Sequence, residues 1–161
     1  MTTIHLRAVK EADCFDLWAW RNDPETRRNS ITTDDLPLEE HQRWFAASLK
    51  NSRRVMLLVE RCGEKFGTVR FDRTASDEAL WRVSIVINPL FRGKGIGRAA
   101  LTASCREMER RYGPSAFAAE ARISNVPSLR IFERCGFAPT SRSEGVVHLL
   151  RPRSTTDVSI A

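Results

Sequence analysis

No apolar run in the 161 residues approaches the ~20 needed to span a bilayer, and Tyr112 is the only tyrosine. The opening Met1-Thr2-Thr3-Ile4-His5-Leu6-Arg7 lacks the apolar core of a secretory leader. Cys14, Cys62, Cys105 and Cys135 are scattered, with no CxxC pair and no paired histidines nearby. That spacing argues against both a zinc site and a disulfide scaffold. The expectations are therefore no metal, no membrane and a reducing cytoplasm. Two nucleotide-binding patterns are also missing. No Gly-Lys pair precedes Ser or Thr at P-loop spacing, and Arg98 stands where GxGxxG needs its third glycine. Repeats, low-complexity runs and interdomain linkers are absent as well. The length suits a single domain, placed at 1–153, with 154–161 as a flexible tail.

What the chain does have is positive charge: 26 Lys and Arg against 20 Asp and Glu give +6 and a pI near 9.7. Such a balance suits any phosphate-rich ligand. Nucleic acid is not the expected partner, because no aromatic platform accompanies a basic stripe.

Periodicity predicts a strand at 4–9 and helices at 13–21 and 37–50, with a polar irregular stretch at 22–35 between them. A hairpin follows at 55–60 and 65–72, then a strand at 80–87 and a helix from the next turn to Gly113-Pro114. The remainder reads as a strand at 116–122, a helix opened by Asn125, and a weak hairpin around Gly145. The order is not a plain βαβ alternation, so it predicts a mixed sheet, parallel only where the long helix crosses over.

The most informative stretch is Ile85-Val86-Ile87-Asn88-Pro89-Leu90-Phe91-Arg92-Gly93-Lys94-Gly95-Ile96-Gly97-Arg98. Here an apolar strand stops at a proline, and a basic glycine-rich turn opens a helix. Glycines at alternate positions permit a tight turn with exposed N–H groups. Those groups, the positive helix end and Arg92, Lys94 and Arg98 form a cradle for phosphate. A second stretch, Asn125-Val126-Pro127-Ser128-Leu129-Arg130-Ile131-Phe132-Glu133-Arg134-Cys135-Gly136-Phe137, has an Asn N-cap, a first-turn proline and a C-terminal glycine.

Arg92-x-x-Gly95-x-Gly97 resembles the pyrophosphate-binding turn of the GNAT (GCN5-related N-acetyltransferase) superfamily, and the Asn125 helix ending in Gly136-Phe137 resembles its second signature. The resemblance implies an α/β (α+β) fold: a mixed, mostly antiparallel sheet with helices on both faces and a splayed parallel strand pair, here 82–87 and 117–122. It implies acetyl-CoA as co-substrate, contacted by Val86, Ile87, Arg92, Gly93, Lys94, Gly95, Ile96, Gly97, Arg98, Asn125, Ser128 and Phe132. The acceptor is then a small-molecule or N-terminal amine, with a homodimer left open.

Acetyl transfer to an amine needs a polarised thioester carbonyl, a neutral amine and a tolerated thiolate. Backbone N–H groups near Val86 and Ile87 are candidates for the first task. For a base the candidate is Glu120, five residues before Asn125 and opposite Phe117 and Ala119 in the strand alternation. The alternative is a solvated glutamate paired with Arg122. Ser84 is a candidate for holding a relay water, or simply a strand hydroxyl. Many GNAT enzymes carry a tyrosine acid seven residues past the Asn, where this chain has Phe132; Cys135 or a water is left to replace it.

Trp20-Arg21-Asn22-Asp23, Arg27 and His41-x-x-Trp44 resemble the branch holding ribosomal-protein N-terminal acetyltransferases and nucleotide-amino-sugar (pseudaminic-acid type) N-acetyltransferases. By that resemblance Arg21, Asn22, Arg27, His41 and Trp44 are candidate acceptor contacts, with Arg21 and Arg27 on a diphosphate and Trp44 stacked on a ring. The alternative is a set of core tryptophans and solvated arginines.

Overall fold

The computed structural model describes residues 3–154. Alternation within the strands divides the apolar side chains between two sheet faces, and each face is covered by its own helices. Strands β1 (His5–Ala8), β2 (Arg54–Arg61), β3 (Glu64–Arg73), β4 (Leu80–Ile87), β5 (Ala116–Arg122), β6 (Ala138–Ser143) and β7 (Val146–Arg151) form one sheet in the order β1-β2-β3-β4-β5-β7-β6. Every pairing is antiparallel except β4–β5. On one face, Leu57, Val59, Val69, Phe71, Trp81, Val83, Phe117 and Ala119 pack with α4 (Ile96–Tyr112) and α5 (Val126–Arg134). On the other, Met56 and Leu58 meet Leu17 and Trp20 of α1 (Cys14–Asn22) and Phe45 of α3 (Leu38–Leu49).

The expected sheet, with helices on both faces, is present, and three local expectations change. The stretch 22–35 is not wholly irregular: α2 (Pro24–Asn29) lies within it, started by Pro24 and capped by the Asp23 carboxylate on the Thr26 N–H at 3.1 Å. A proline and five polar residues carry no apolar period, so periodicity misses this helix. In α3, whose apolar members in sequence are Leu38, Trp44, Phe45 and Leu49, the buried residues are His41, Phe45 and Ser48, while Leu49 is 36% exposed. The terminal hairpin is also less weak than its sequence suggests. β7 inserts between β5 and β6, and pairs six of its residues with β5. The proposed tail, apart from Ser154, lies outside the described residues.

Asp13 ties the first layer together at the foot of α1. Its buried carboxylate accepts two bonds from Arg7 (2.8 and 3.0 Å), one from the Lys10 N–H (2.8 Å), and meets Lys65 Nζ at 2.8 Å. The Arg7 guanidinium, aided by Lys65 and Lys10 and opposed by burial, holds this carboxyl well below the ordinary range.

Candidate active site

The parallel pair β4–β5 is joined only at Leu80–Ala116, Trp81–Phe117 and Arg82–Ala118. Beyond that point the strands separate, so the expected splayed stretches 82–87 and 117–122 are shortened to 83–87 and 119–122. Backbone direction in the opening follows from two hydrogen bonds. The Ala116 N–H donates to Ala79 O, so odd-numbered residues of β4 direct their peptide groups toward β5. The Asn88 N–H donates to Phe66 O, so even-numbered ones face β3. Ile85 and Ile87 therefore present backbone N–H and C=O groups to the gap, whereas Val86 is turned to β3 and packs its side chain beneath α1 and α3. Of the two backbone candidates, geometry brings Ile87 to the opening and replaces Val86 with Ile85. The signal was available: strand parity counted from the crossover gives the same answer.

At the far end of β4, Asn88 fixes the turn. Its Nδ2 donates to Lys65 O at 2.9 Å, and its Oδ1 accepts the Leu90 N–H at 3.1 Å. Gly93 and Gly95 then take left-handed conformations (φ 73° and 75°), and a Cβ on either would meet nothing within 4 Å. Gly95 is the N-cap of α4, no side chain caps this helix, and its first turn carries no acid. The leading N–H groups of α4 thus lack side-chain partners and face an open approach. Lys94 and Arg98 are exposed beside them, and Lys94 Nζ sits 5.4 Å from the centre of the Phe91 ring. Ile96 is buried in the core. Gly97, by contrast, lies inside α4, where an added Cβ would come 2.6 Å from Ile131 Cδ1. It allows α4 and α5 to pack closely.

Arg92 reaches away from the glycines to α2. It pairs with Asp23 (2.6 Å) and Glu25 (3.0 Å) and also donates to Thr26 Oγ1. Burial would raise the Asp23 carboxyl, but Arg92 and the Thr26 N–H outweigh it and hold that group below its usual value. Asn125 caps α5 through the Ser128 N–H (3.3 Å) and reaches Asn29 O at 3.5 Å, so α2 is tied to both signature segments. Ser128 itself is half-buried. Phe132 is buried and packs edge-on against Phe137 with centroids 5.1 Å apart. The Cys135 thiol lies 3.4 Å from Thr102 Oγ1 and 3.8 Å from Arg98 O, both on α4.

On the sheet face toward α1 and α3, registers align one row of side chains. Arg70 of β3 is opposite Ser84 of β4, and Arg70 Nη2 donates to Ser84 Oγ at 3.3 Å. Two residues past the last β4–β5 pair, Ser84 and Glu120 stand at matching heights across the opening. Glu120 is opposite His148 of β7, with Oε1 to Nδ1 at 3.3 Å. Glu120 is not paired with Arg122, whose guanidinium holds the carbonyls of Ser30 (2.5 Å) and Ile31 (2.9 Å). The row Arg70–Ser84–opening–Glu120–His148 joins two sequence candidates to two residues the sequence reading missed. Arg70 was legible as a strand residue opposite the core; His148 required the β5–β7 register.

The segment 30–36 roofs this side and is held by donors to its carbonyls. Arg21 Nη2 donates to Thr32 O (2.8 Å), Arg27 Nε to Thr33 O (3.2 Å), and Trp18 Nε1 to Leu36 O (2.7 Å). Asn22 both donates to Leu36 O and accepts from Leu36 N, each at 2.9 Å. His41 is buried, with Nε2 3.1 Å from Cys14 O, and burial lowers its pKa despite that carbonyl. The Trp44 ring carries the Arg54 and Arg70 guanidinia 5.2 and 5.5 Å from its centre. Arg21 and Trp44 therefore neighbour Arg70 on the sheet face that carries the row. Arg27, Asn22 and His41 make the structural contacts described. Among the described residues, no group of three or more His, Cys, Asp or Glu is placed to hold a metal ion.

No curated protein matches the chain by sequence. Solved structures share its fold. A putative phosphinothricin N-acetyltransferase is 24% identical (TM-score 0.79, covering 94% of this chain and 99% of that one). Spermidine N-acetyltransferase from Vibrio cholerae, in complex with CoA and spermine, is 15% identical (TM-score 0.82; 91% and 94%). Aminoglycoside acetyltransferase AAC(6')-Ib, in complex with coenzyme A, is also 15% identical (TM-score 0.79; 93% and 95%). The family model described as an acetyltransferase (GNAT) domain matches residues 3–138. Given that match over most of the chain, together with the splayed strands and the open glycine turn, the protein belongs to the GNAT acetyltransferase family.

Proposed function

We propose that the protein moves an acetyl group directly from acetyl-CoA to a small primary amine, a nucleotide-linked amino sugar being the first candidate. The observation that carries this reading is the continuity of three features. The unclaimed N–H groups at the start of α4 lead to the open edge of β4 at Ile87 and Ile85, and that edge leads to the row containing Glu120. The first suits a pyrophosphate, the second an extended amide-bearing arm and a thioester carbonyl, and the third an amine. Solved structures of the same fold contain CoA together with amines.

The co-substrate supplies an acyl carbon bonded to a good leaving group. Glu120 accepts a proton from the amine as its nitrogen forms the new C–N bond. The C–S bond breaks, and the sulfur leaves as thiolate, later protonated from solvent. A buried phenyl ring at position 132 offers no proton, and the Cys135 thiol is directed to α4. The thiolate leaves without help because its conjugate acid has a pKa of about 8.5. Base demand then depends on the acceptor: at pH 7 an amine of pKa about 8 is roughly one-tenth neutral, whereas one of about 10.4 is neutral below one part in a thousand. A single exposed carboxylate suits the weaker base. Ser84 and Arg70 line the approach.

Phe132 also favours a second reading, a CoA-binding sensor without turnover. Calorimetric titration with acetyl-CoA, repeated on Gly95→Trp, tests cofactor binding, since the indole would fill the open approach at a residue that needs positive φ. Binding by the wild type that is lost in the variant supports the assignment; no wild-type binding removes it. Turnover on a panel of amines then eliminates the sensor.

A further inference from the structure

The sheet face that carries this row holds more positive charge than it neutralises. Arg54 and Arg70 share one carboxylate, Asp72, at 2.5 and 3.0 Å. Arg70 Nε lies close to Asp72 Oδ2, yet its N–H does not point at that oxygen, and this buried nitrogen has no hydrogen-bond acceptor. Arg21 has no carboxylate partner among the described residues. Its Nη2 is taken by Thr32 O, and its Nη1 is buried with no acceptor. Arg82, opposite Asp72 on β4 and on the same face, adds another exposed cation. Burial depresses both guanidinia, and like charge depresses them further: Arg54 and Arg21 act on Arg70 against Asp72, and Arg27 acts on Arg21. A guanidinium cannot relieve this by losing its proton, so its buried donors remain a cost until an acceptor arrives.

Resting on the acetyltransferase reading, we propose that Arg70 and Arg21 form an anion subsite, so that the acceptor is a primary amine that also carries a carboxylate or phosphate. Register places that subsite at one end of the row and Glu120 beyond Ser84, one strand spacing of about 5 Å plus the width of the opening away. The anionic group binds at Arg70 and Arg21 and brings the amine to the opening beside Glu120. The same charge repels polyamines, so a shared fold with a spermidine acetyltransferase does not extend to its acceptor.

The test compares acceptors that differ in one group: glucosamine 1-phosphate against glucosamine, an α-amino acid against its amide, and spermidine as the polycation. Expected is at least a tenfold higher kcat/KM for the anionic member of one pair. The phosphate and carboxylate pairs distinguish the two sources of charge. In Arg70→Gln the preference should fall to near unity, the anionic member losing through KM; Arg70→Lys, which keeps charge without the fork, should recover part of it. Independently of turnover, pyrophosphate should bind CoA-saturated wild type in calorimetry, and bind Arg70→Gln or Arg21→Gln at least tenfold more weakly. Equal or better use of glucosamine and spermidine, or pyrophosphate affinity indifferent to both arginines, overturns the anion subsite while leaving acetyl transfer standing. Acetyl-CoA binding without turnover of any amine refutes the acetyltransferase reading instead, and the pyrophosphate titration still decides the subsite.

Discussion

Gly67 offers a direct test of how the opening is shaped. It lies in β3 opposite Ile87, and a Cβ built there would fall 2.4 Å from the Val86 carbonyl oxygen and 3.1 Å from Ile87 Cα. An ordinary C···O contact is about 3.3 Å, so Gly67→Ala must move β4 by close to 1 Å. The obstacle is backbone, so no rotamer change relieves it. Overpacking costs about 1–3 kcal/mol, and one or two strained ladder bonds add about 1 kcal/mol. The expected loss is therefore about 2–4 kcal/mol, or about 5–15 °C in Tm for a chain of this size. The displacement is directed away from β3 and carries the Ile85–Ile87 edge into the opening. A misplacement near 1 Å costs about a hundredfold in kcat/KM. Gly97→Ala serves as the control: its Cβ would meet the rotatable Cδ1 of Ile131, and the helix gains about 1 kcal/mol of propensity. Its stability should stay within about 1 kcal/mol of wild type. Thermal denaturation and acetyl-CoA-dependent turnover of both variants decide the matter. If Gly67→Ala keeps wild-type stability within about 0.5 kcal/mol and unchanged kcat/KM, the shaping argument is wrong.

Three further outcomes are expected. Glu120→Gln should lower kcat by about 10²–10⁴ with unchanged acetyl-CoA affinity; a pH–rate profile identical to wild type would remove Glu120 from the base role. Asp13→Asn should cost about 3 kcal/mol in chemical denaturation, the low end for a broken buried pair because Arg7 and Lys65 are 25% and 28% exposed. Since the Asp13 carboxyl is depressed in the folded state, its contribution is fully present above the unfolded value of about 3.9 and is lost as pH falls toward its folded value. Wild type should consequently lose stability below pH ~4 more steeply than the variant, and parallel curves would contradict the assignment. Finally, burial pushes the Cys105 thiol up to about 12, whereas Cys62 is exposed. A thiol reagent at neutral pH should modify Cys62 promptly and Cys105 only on unfolding, as peptide mapping would show.

By itself the sequence determined what is local. Proline at 89, glycines at 93 and 95 and an uncapped helix start specify a phosphate-approachable turn, because positive φ and missing side chains act within a few residues. Alternation in 116–122 placed Glu120 opposite the core, and the Asn125 cap was legible for the same reason. Three assignments came only from tertiary structure. Arg92 reads as a phosphate ligand beside its glycines, but the fold brings Asp23 and Glu25 of α2 to it across more than sixty residues. Gly97 looks like the third member of a glycine turn, yet Ile131 on another helix decides that its missing side chain serves packing. The row from Arg70 to His148 crosses four strands, and its members meet only through strand registers that no single segment encodes. Short-range chemistry is fixed by neighbours along the chain, while charge pairing and the alignment of a site depend on which distant segments the packed core brings together.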